Sequence, residues 1–170
     1  MEVFEAIRKR RSIRKYKPEP VSEEKLKIIL EAARLAPSGK NRQPWQFVVV
    51  RNPERKKAVG RAANNQMFIT DAGVIIAALG DPAASPNGFK RDPVIAVEHM
   101  VLAAASLGYG TCWIGAFDEK KVKRILGIPE KLAVIALLPI GVPDESPPKK
   151  PRKELAEMFF QEEYGKPLDA

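Results

Sequence analysis

The sequence predicts an α+β or α/β domain arranged in three layers, and three observations lead there. Residues 72–79 and 132–140 are continuous apolar runs without polar alternation, the pattern of strands covered on both faces. Stretches with helical spacing of apolar residues alternate with these and with shorter strand signals. The chain has 170 residues, 45% of them hydrophobic, enough for one well-buried core and short for two.

Val3, Phe4 and Ile7 recur at helical spacing, so residues 2–11 read as a short helix running into a basic stretch. Pro18 and Pro20 make the next residues an extended connector. Ser22 is an N-cap with Glu23 and Glu24 behind it; Leu26, Ile29, Leu30 and Ala33 form one stripe, and the helix stops before Pro37. Residues 37–44 form a polar loop bounded by prolines. Trp45, Phe47 and Val49 alternate along a strand over residues 45–50, and residues 54–63 form a modest helix. The first buried strand, 72–79, is followed by a Pro- and Gly-containing loop over 81–93. The longest apolar helix covers 94–107, with Val94, Val97, Val101, Leu102 and Ala105 facing inward and Gly108 ending it. A short strand over 110–115 leads into a turn. Asp118 caps a basic helix over 119–126, closed by Gly127, and the second buried strand comes next. From Pro143 the composition turns to proline and charge. Leu155, Met158, Phe159, Phe160 and Tyr164 then supply large apolar surface, which suits packing on a partner subunit.

Charge is focused rather than spread. Residues 8–17 carry seven Lys or Arg, and Lys149-Lys150-Pro151-Arg152-Lys153 carries four more, with no acid in either run. The net charge of the whole chain is only +8, so the remainder is slightly acidic. Arg10 and Arg14, four residues apart with Ser12 between them, suit a small and highly charged anion better than a long polyanion. No secretory segment and no stretch of membrane-spanning length is expected, and a single cysteine, Cys112, excludes an internal disulfide. A cytoplasmic protein is the expectation.

The usual catalytic signatures are missing. His99, the only histidine, lies within the apolar helix and reads as a core or interface residue; Cys112 reads as packing. Arg91 and Asp92 read as the start and cap of the long helix. No GxGxxG, no GxxxxGK[ST] and no metal-ligand spacing of Cys and His occurs. Anion-binding and backbone-exposing segments without a proton-transfer residue suit an enzyme whose chemistry resides in a bound cofactor.

Four segments in order carry a resemblance: Arg10-Arg11-Ser12-Ile13-Arg14, residues 37–45 (PSGKNRQPW), residues 110–117 (GTCWIGAF) and Lys150-Pro151-Arg152. Together they resemble the motifs of the FMN-dependent nitroreductase family over nearly the whole chain. The resemblance implies an α+β, three-layer fold with a central mixed sheet flanked by helices. It implies a single domain over 1–170, whose C-terminal arm, 143–170, is exchanged in a homodimer with FMN at the subunit interface. Arg10, Ser12, Lys150 and Arg152 would hold the FMN phosphate, and Arg11 would contribute. Arg14 would approach the N1/O2 edge of the ring and favour reduction as a fixed cation. Pro37, Ser38, Gly39 and Asn41 would come from the other subunit, and Asn65, or Asn64 one position earlier, would reach the pyrimidine edge. Ile114, Gly115 and Ala116 would lie beside the ring, where glycine permits a close backbone approach. No side chain is expected to act as acid or base. One departure is plain: many family members carry a long helical insertion where this chain has only the 81–93 loop.

The implied activity is an NAD(P)H oxidoreductase. Hydride passes from NADH or NADPH to flavin N5, and then a nitroaromatic, quinone or similar acceptor is reduced in a ping-pong sequence. Two other readings stand beside it. One is a flavin-binding carrier or sensor without turnover. The other is a basic nucleic-acid-binding protein, which leaves residues 37–45 and 110–117 unexplained and lacks aromatics interleaved with its cations. No nucleic-acid or membrane partner is expected.

Overall fold

In the computed structural model, which describes residues 2–168, five helices and a four-stranded sheet form three layers. The helices are α1 (Val3–Lys9), α2 (Glu23–Arg34), α3 (Pro53–Ala62), α4 (Asp92–Ser106) and α5 (Glu119–Leu126). The strands are β1 (Trp45–Val50), β2 (Val74–Gly80), β3 (Gly110–Thr111) and β4 (Ala133–Gly141), and three 3₁₀ turns span Gly39–Asn41, Met67–Thr70 and Leu155–Glu157.

The sheet order is β1-β2-β4-β3, every neighbouring pair antiparallel. Its mixed character rests on one parallel bridge, Ser12 to Thr111, where the segment after α1 runs beside β3. The apolar run of β2 has a direct explanation. Val74, Ile76 and Ala78 enter a core shared with α2 and α4, whereas Ile75, Ala77 and Leu79 enter one shared with α3 and α5. Both faces of the strand are therefore dry, and no position is left for a polar side chain. A register shift at Ala78/Leu79 lets Val134 and Leu137 share a face of β4.

Local signals account for most boundaries. Ser22 Oγ accepts from Lys25 N (3.3 Å), Asn52 Oδ1 from Arg55 N (3.0 Å) and Asp118 Oδ1 from Lys121 N (3.1 Å), capping α2, α3 and α5. Gly127 closes α5 at φ 67°, and Gly108 succeeds α4 at φ 85°. The expected strand over 110–115 is interrupted. Thr111 pairs with Ile140 and Ile114 with Leu137 in one continuous register, which sets Cys112 opposite Pro139. Proline has no N–H to donate there, so the ladder lapses for two residues and resumes as an isolated bridge. Val94, expected to face inward, is exposed in the first turn of α4, where the buried face is carried by Ala96, Val97, Met100, Val101 and Ala104. The stripe of α1 also faces outward: Val3, Phe4 and Ile7 are exposed, and only Ala6 is buried.

The C-terminal segment divides at Glu145. Tyr16 bridges Pro143, Asp144 N donates to Lys15 O (2.9 Å) and Lys17 N to Val142 O (2.9 Å), so residues 143–145 are tied to their own chain, although Asp144 and Glu145 are exposed. Beyond them Leu155, Met158, Phe159 and Tyr164 are exposed. Residues 169–170 of the expected arm lie outside the described residues. Among the described residues, no helix is long and apolar enough to cross a membrane.

Candidate cofactor site

The site is built from the strap that succeeds α1. Helix α1 ends at Lys9, and Arg10 turns extended (φ −50°, ψ 135°). Arg11 Nη1 then donates to the carbonyls of Arg8 (2.9 Å), Lys9 (3.1 Å) and Arg10 (2.8 Å). These acceptors are orphaned at a helix C-terminus, where a cation is also favoured by the helix dipole. Arg11 is thereby committed first to the end of its own helix.

Ser12 and Ile13 dock on β3: Ser12 bridges Thr111, and Ile13 N donates to Thr111 O (2.9 Å). Ile13 and Tyr16 are buried, and Tyr16 Oη donates back to Ile13 O (2.8 Å). A Cβ on Gly110 would stand 2.6 Å from Ile13 Cγ1, so the strap lies this close only because residue 110 has no side chain. With Ile13 and Tyr16 turned inward, Arg14 is left exposed. Burial pushes the Tyr16 phenol well above its ordinary value; the nearby thiol of Cys112 and the Glu145 carboxylate add to this, and Arg14 opposes it. Burial likewise raises the Cys112 thiol, again against Arg14, which disfavours the thiolate of this packed side chain.

A cavity of ≈ 340 Å³ opens beside the strap. Arg10, Arg11, Ser12 and Arg14 line it together with Lys150 and Arg152, which follow Pro147 and Pro148 in the lining. Among the described residues, no carboxylate lines it. Among the described residues, Arg10, Arg14, Lys150 and Arg152 have no ion-pair partner. Unpaired cations gathered around one hydroxyl fit a dianionic phosphate, so this donor set suits the phosphate end of FMN. Among the described residues, Lys and Arg are the only titratable groups in the lining. His99 is elsewhere, its Nδ1 3.1 Å from Ala32 O in an apolar pocket between α1, α2 and α4.

The other expected residues gather apart from that cavity. Ile114 is buried, whereas Gly115 and Ala116 present exposed backbone, and a Cβ at Gly115 would meet nothing within 4 Å of its own chain. Asn64 and Asn65 both take left-handed backbone (φ 53° and 58°) after α3. Gln66 Nε2 donates to Ala116 O (3.1 Å), setting the Asn65 loop beside the Gly115 turn. Trp113 Nε1 donates to Glu98 Oε2 (3.2 Å), tying the stretch before that turn to α4.

Pro37, Ser38, Gly39 and Asn41 do not enter the cavity of their own chain. They form a tight loop in which Ser38 Oγ accepts from Gln43 N (2.9 Å) and Lys40, Asn41 and Gln43 have positive φ. Gly39 N donates to Asp92 Oδ2 (3.1 Å). Asp92 is 2% exposed and is not the cap of α4, since Arg91 holds that position without a side-chain hydrogen bond. Its carboxylate instead anchors the 38–41 loop and also accepts from Arg91 Nε (3.3 Å). Asp92 and Glu145, whose Oε1 accepts from Arg14 N, are the residues that local sequence patterns do not find.

Comparison with known proteins shows the family. The sequence profile described as the Nitroreductase family matches residues 7–73 and 60–142. A putative NADH dehydrogenase/NAD(P)H nitroreductase of Methanothermobacter thermautotrophicus is 37% identical over 153 residues, covering 86% of this chain and 80% of that protein. The FMN reductase [NAD(P)H] of Bacillus subtilis is 32% identical, covering 96% and 74% respectively. An FMN-dependent nitroreductase of Clostridium difficile has a similar structure, with a TM-score of 0.85 at 31% identity, covering 94% of this chain and 98% of that one. Sequence, fold and the ordered basic and glycine-containing segments converge, and the chain belongs to the nitroreductase family.

Proposed function

We propose that this chain is an FMN-dependent oxidoreductase that takes electrons from NADH or NADPH and passes them to a nitroaromatic, quinone or similar acceptor, as a homodimer. The observation that carries this reading is the cavity lined by Arg10, Arg11, Ser12, Arg14, Lys150 and Arg152 with no carboxylate among them. The relatives named FMN reductase and FMN-dependent nitroreductase support it.

In this reading Arg10, Ser12, Lys150 and Arg152 hold the phosphate by charge-assisted hydrogen bonds, and Arg11 fixes the end of α1 from which Arg10 projects. Arg14 sets a cation where negative charge collects on reduction. Ile114, Gly115 and Ala116 lie along the ring with Asn65 at its polar edge, and Pro37, Ser38, Gly39 and Asn41 complete the pocket from the partner. FMN, when bound, supplies the hydride chemistry by which donor and acceptor react in turn. The chain's own part is to bind, orient and tune, with protons drawn from solvent. The outward stripe of α1 and the exposed apolar residues of the arm support association of two copies.

The test is a visible spectrum after FMN is added and excess removed, repeated anaerobically with NADH or NADPH. A yellow protein that bleaches with a nicotinamide supports the reading and identifies the donor. A yellow protein that no nicotinamide bleaches is a carrier or sensor, and a colourless one overturns the assignment.

A further inference from the structure

We propose that Glu145 is a positioning residue that holds the two basic runs in register at the anion cavity, an inference that rests on the flavin reading. Its carboxylate makes no ion pair among the described residues. Instead Oε1 accepts from the backbone N–H of Arg14, a residue 131 positions away. That amide sits between Ile13, bonded to β3, and Lys15, whose carbonyl accepts from Asp144 N. Glu145 therefore ties the start of the arm to the strap, next to the Asp144–Lys15 bond.

The path onward is short and stiff. Lys150 and Arg152 lie five and seven residues beyond Glu145, with Pro147, Pro148 and Pro151 between, so the placement of residue 145 is carried along a semi-rigid extended segment. The smaller neighbouring cavity, which Arg10 and Arg11 also line, includes Glu145 as the one acidic residue among the described residues. A carboxylate at the edge of an anion site opposes the anion by charge alone. Removing it should tighten binding unless its hydrogen bond holds the cations in place, so charge and positioning predict opposite signs.

The experiment compares wild type, Glu145→Gln and Glu145→Ala. FMN affinity is measured by fluorescence titration, and exchange of the Arg14 amide by NMR. Glutamine keeps an acceptor and removes the charge; alanine removes both. The expected result is that Glu145→Gln binds FMN at least as tightly as wild type, whereas Glu145→Ala binds about five- to tenfold more weakly. The Arg14 amide should stay protected in the first and exchange roughly tenfold faster in the second. Alanine and glutamine variants of equal affinity overturn the proposal. If the wild type takes up no FMN, it is the flavin reading that fails. The same three proteins are then titrated with inorganic phosphate, where tighter binding by glutamine than by alanine sustains the positioning role and equality overturns it.

Discussion

At the scale of single residues, the flavin reading assigns separable duties to the cations of the strap and the arm. Arg14 is exposed beside Cys112 and Tyr16, and Arg152 projects from the arm. Arg14→Ala should retain FMN and lower its potential by roughly 30 mV, the two-electron equivalent of one charge-assisted hydrogen bond. Arg152→Ala should leave the potential in place and weaken FMN binding by about tenfold. Spectroelectrochemical titration of both variants separates these effects, and equal potentials in wild type and Arg14→Ala would remove the tuning role. Tyr16 makes a prediction for stability. Its phenol is raised by burial in the folded chain, so it stays protonated where the unfolded chain releases its proton. Stability is therefore fully present below about pH 10 and declines as pH rises toward the folded value. Urea unfolding above pH 10 should show a slope with pH that is shallower in Tyr16→Phe by up to ~1.4 kcal/mol per pH unit.

At the scale of elements, the 38–41 loop is held on α4 by one buried carboxylate. Asp92 accepts from Gly39 N, and Gly88 packs so closely that a Cβ there would fall 2.6 Å from both Asp92 Oδ2 and Ser85 Oγ. The short 81–91 connection packs against the same carboxylate and is tied to the start of α4 through its backbone, where Gly88 N donates to Ser85 O and Asp92 N to Gly88 O. Asp92→Ala leaves the Gly39 amide without its acceptor and should cost about 1–3 kcal/mol in denaturant unfolding, with Asp92→Asn losing less. No change in midpoint for the alanine variant would mean that water replaces the carboxylate without loss.

At the scale of the whole molecule, the single chain leaves two apolar surfaces uncovered, Val3, Phe4 and Ile7 on α1 and Leu155, Met158 and Phe159 on the arm. A chain ending at Ser146 keeps all four strands and the ties at residues 143–145, so its core should fold. It should nevertheless lose FMN, since Lys150 and Arg152 are gone, and sediment as a smaller species than the full chain. Analytical ultracentrifugation with the visible spectrum checks both. A truncated protein that stays dimeric would place the interface on α1 and the core alone.

Much of the architecture was legible in the chain because its causes are local. The unbroken apolar runs of β2 and β4 announce strands with two dry faces. Ser22 and Asp118 announce helix starts through acceptors only three residues from the amides they satisfy. The focused charge of residues 8–17 and 149–153 is likewise legible before any fold is known, and the fold brings Arg10, Arg14, Lys150 and Arg152 from the two runs to one cavity. Only the tertiary structure decided the meetings between distant segments. Pro139 interrupts the strand at Cys112 from across the sheet, and Arg11 turns back onto the carbonyls of α1. Asp92 and Glu145 meet amides 53 and 131 residues away. A carboxylate in sequence carries no mark of which remote N–H it will face. That pairing is set by how the layers pack, and periodicity and capping patterns reach only a few residues along the chain.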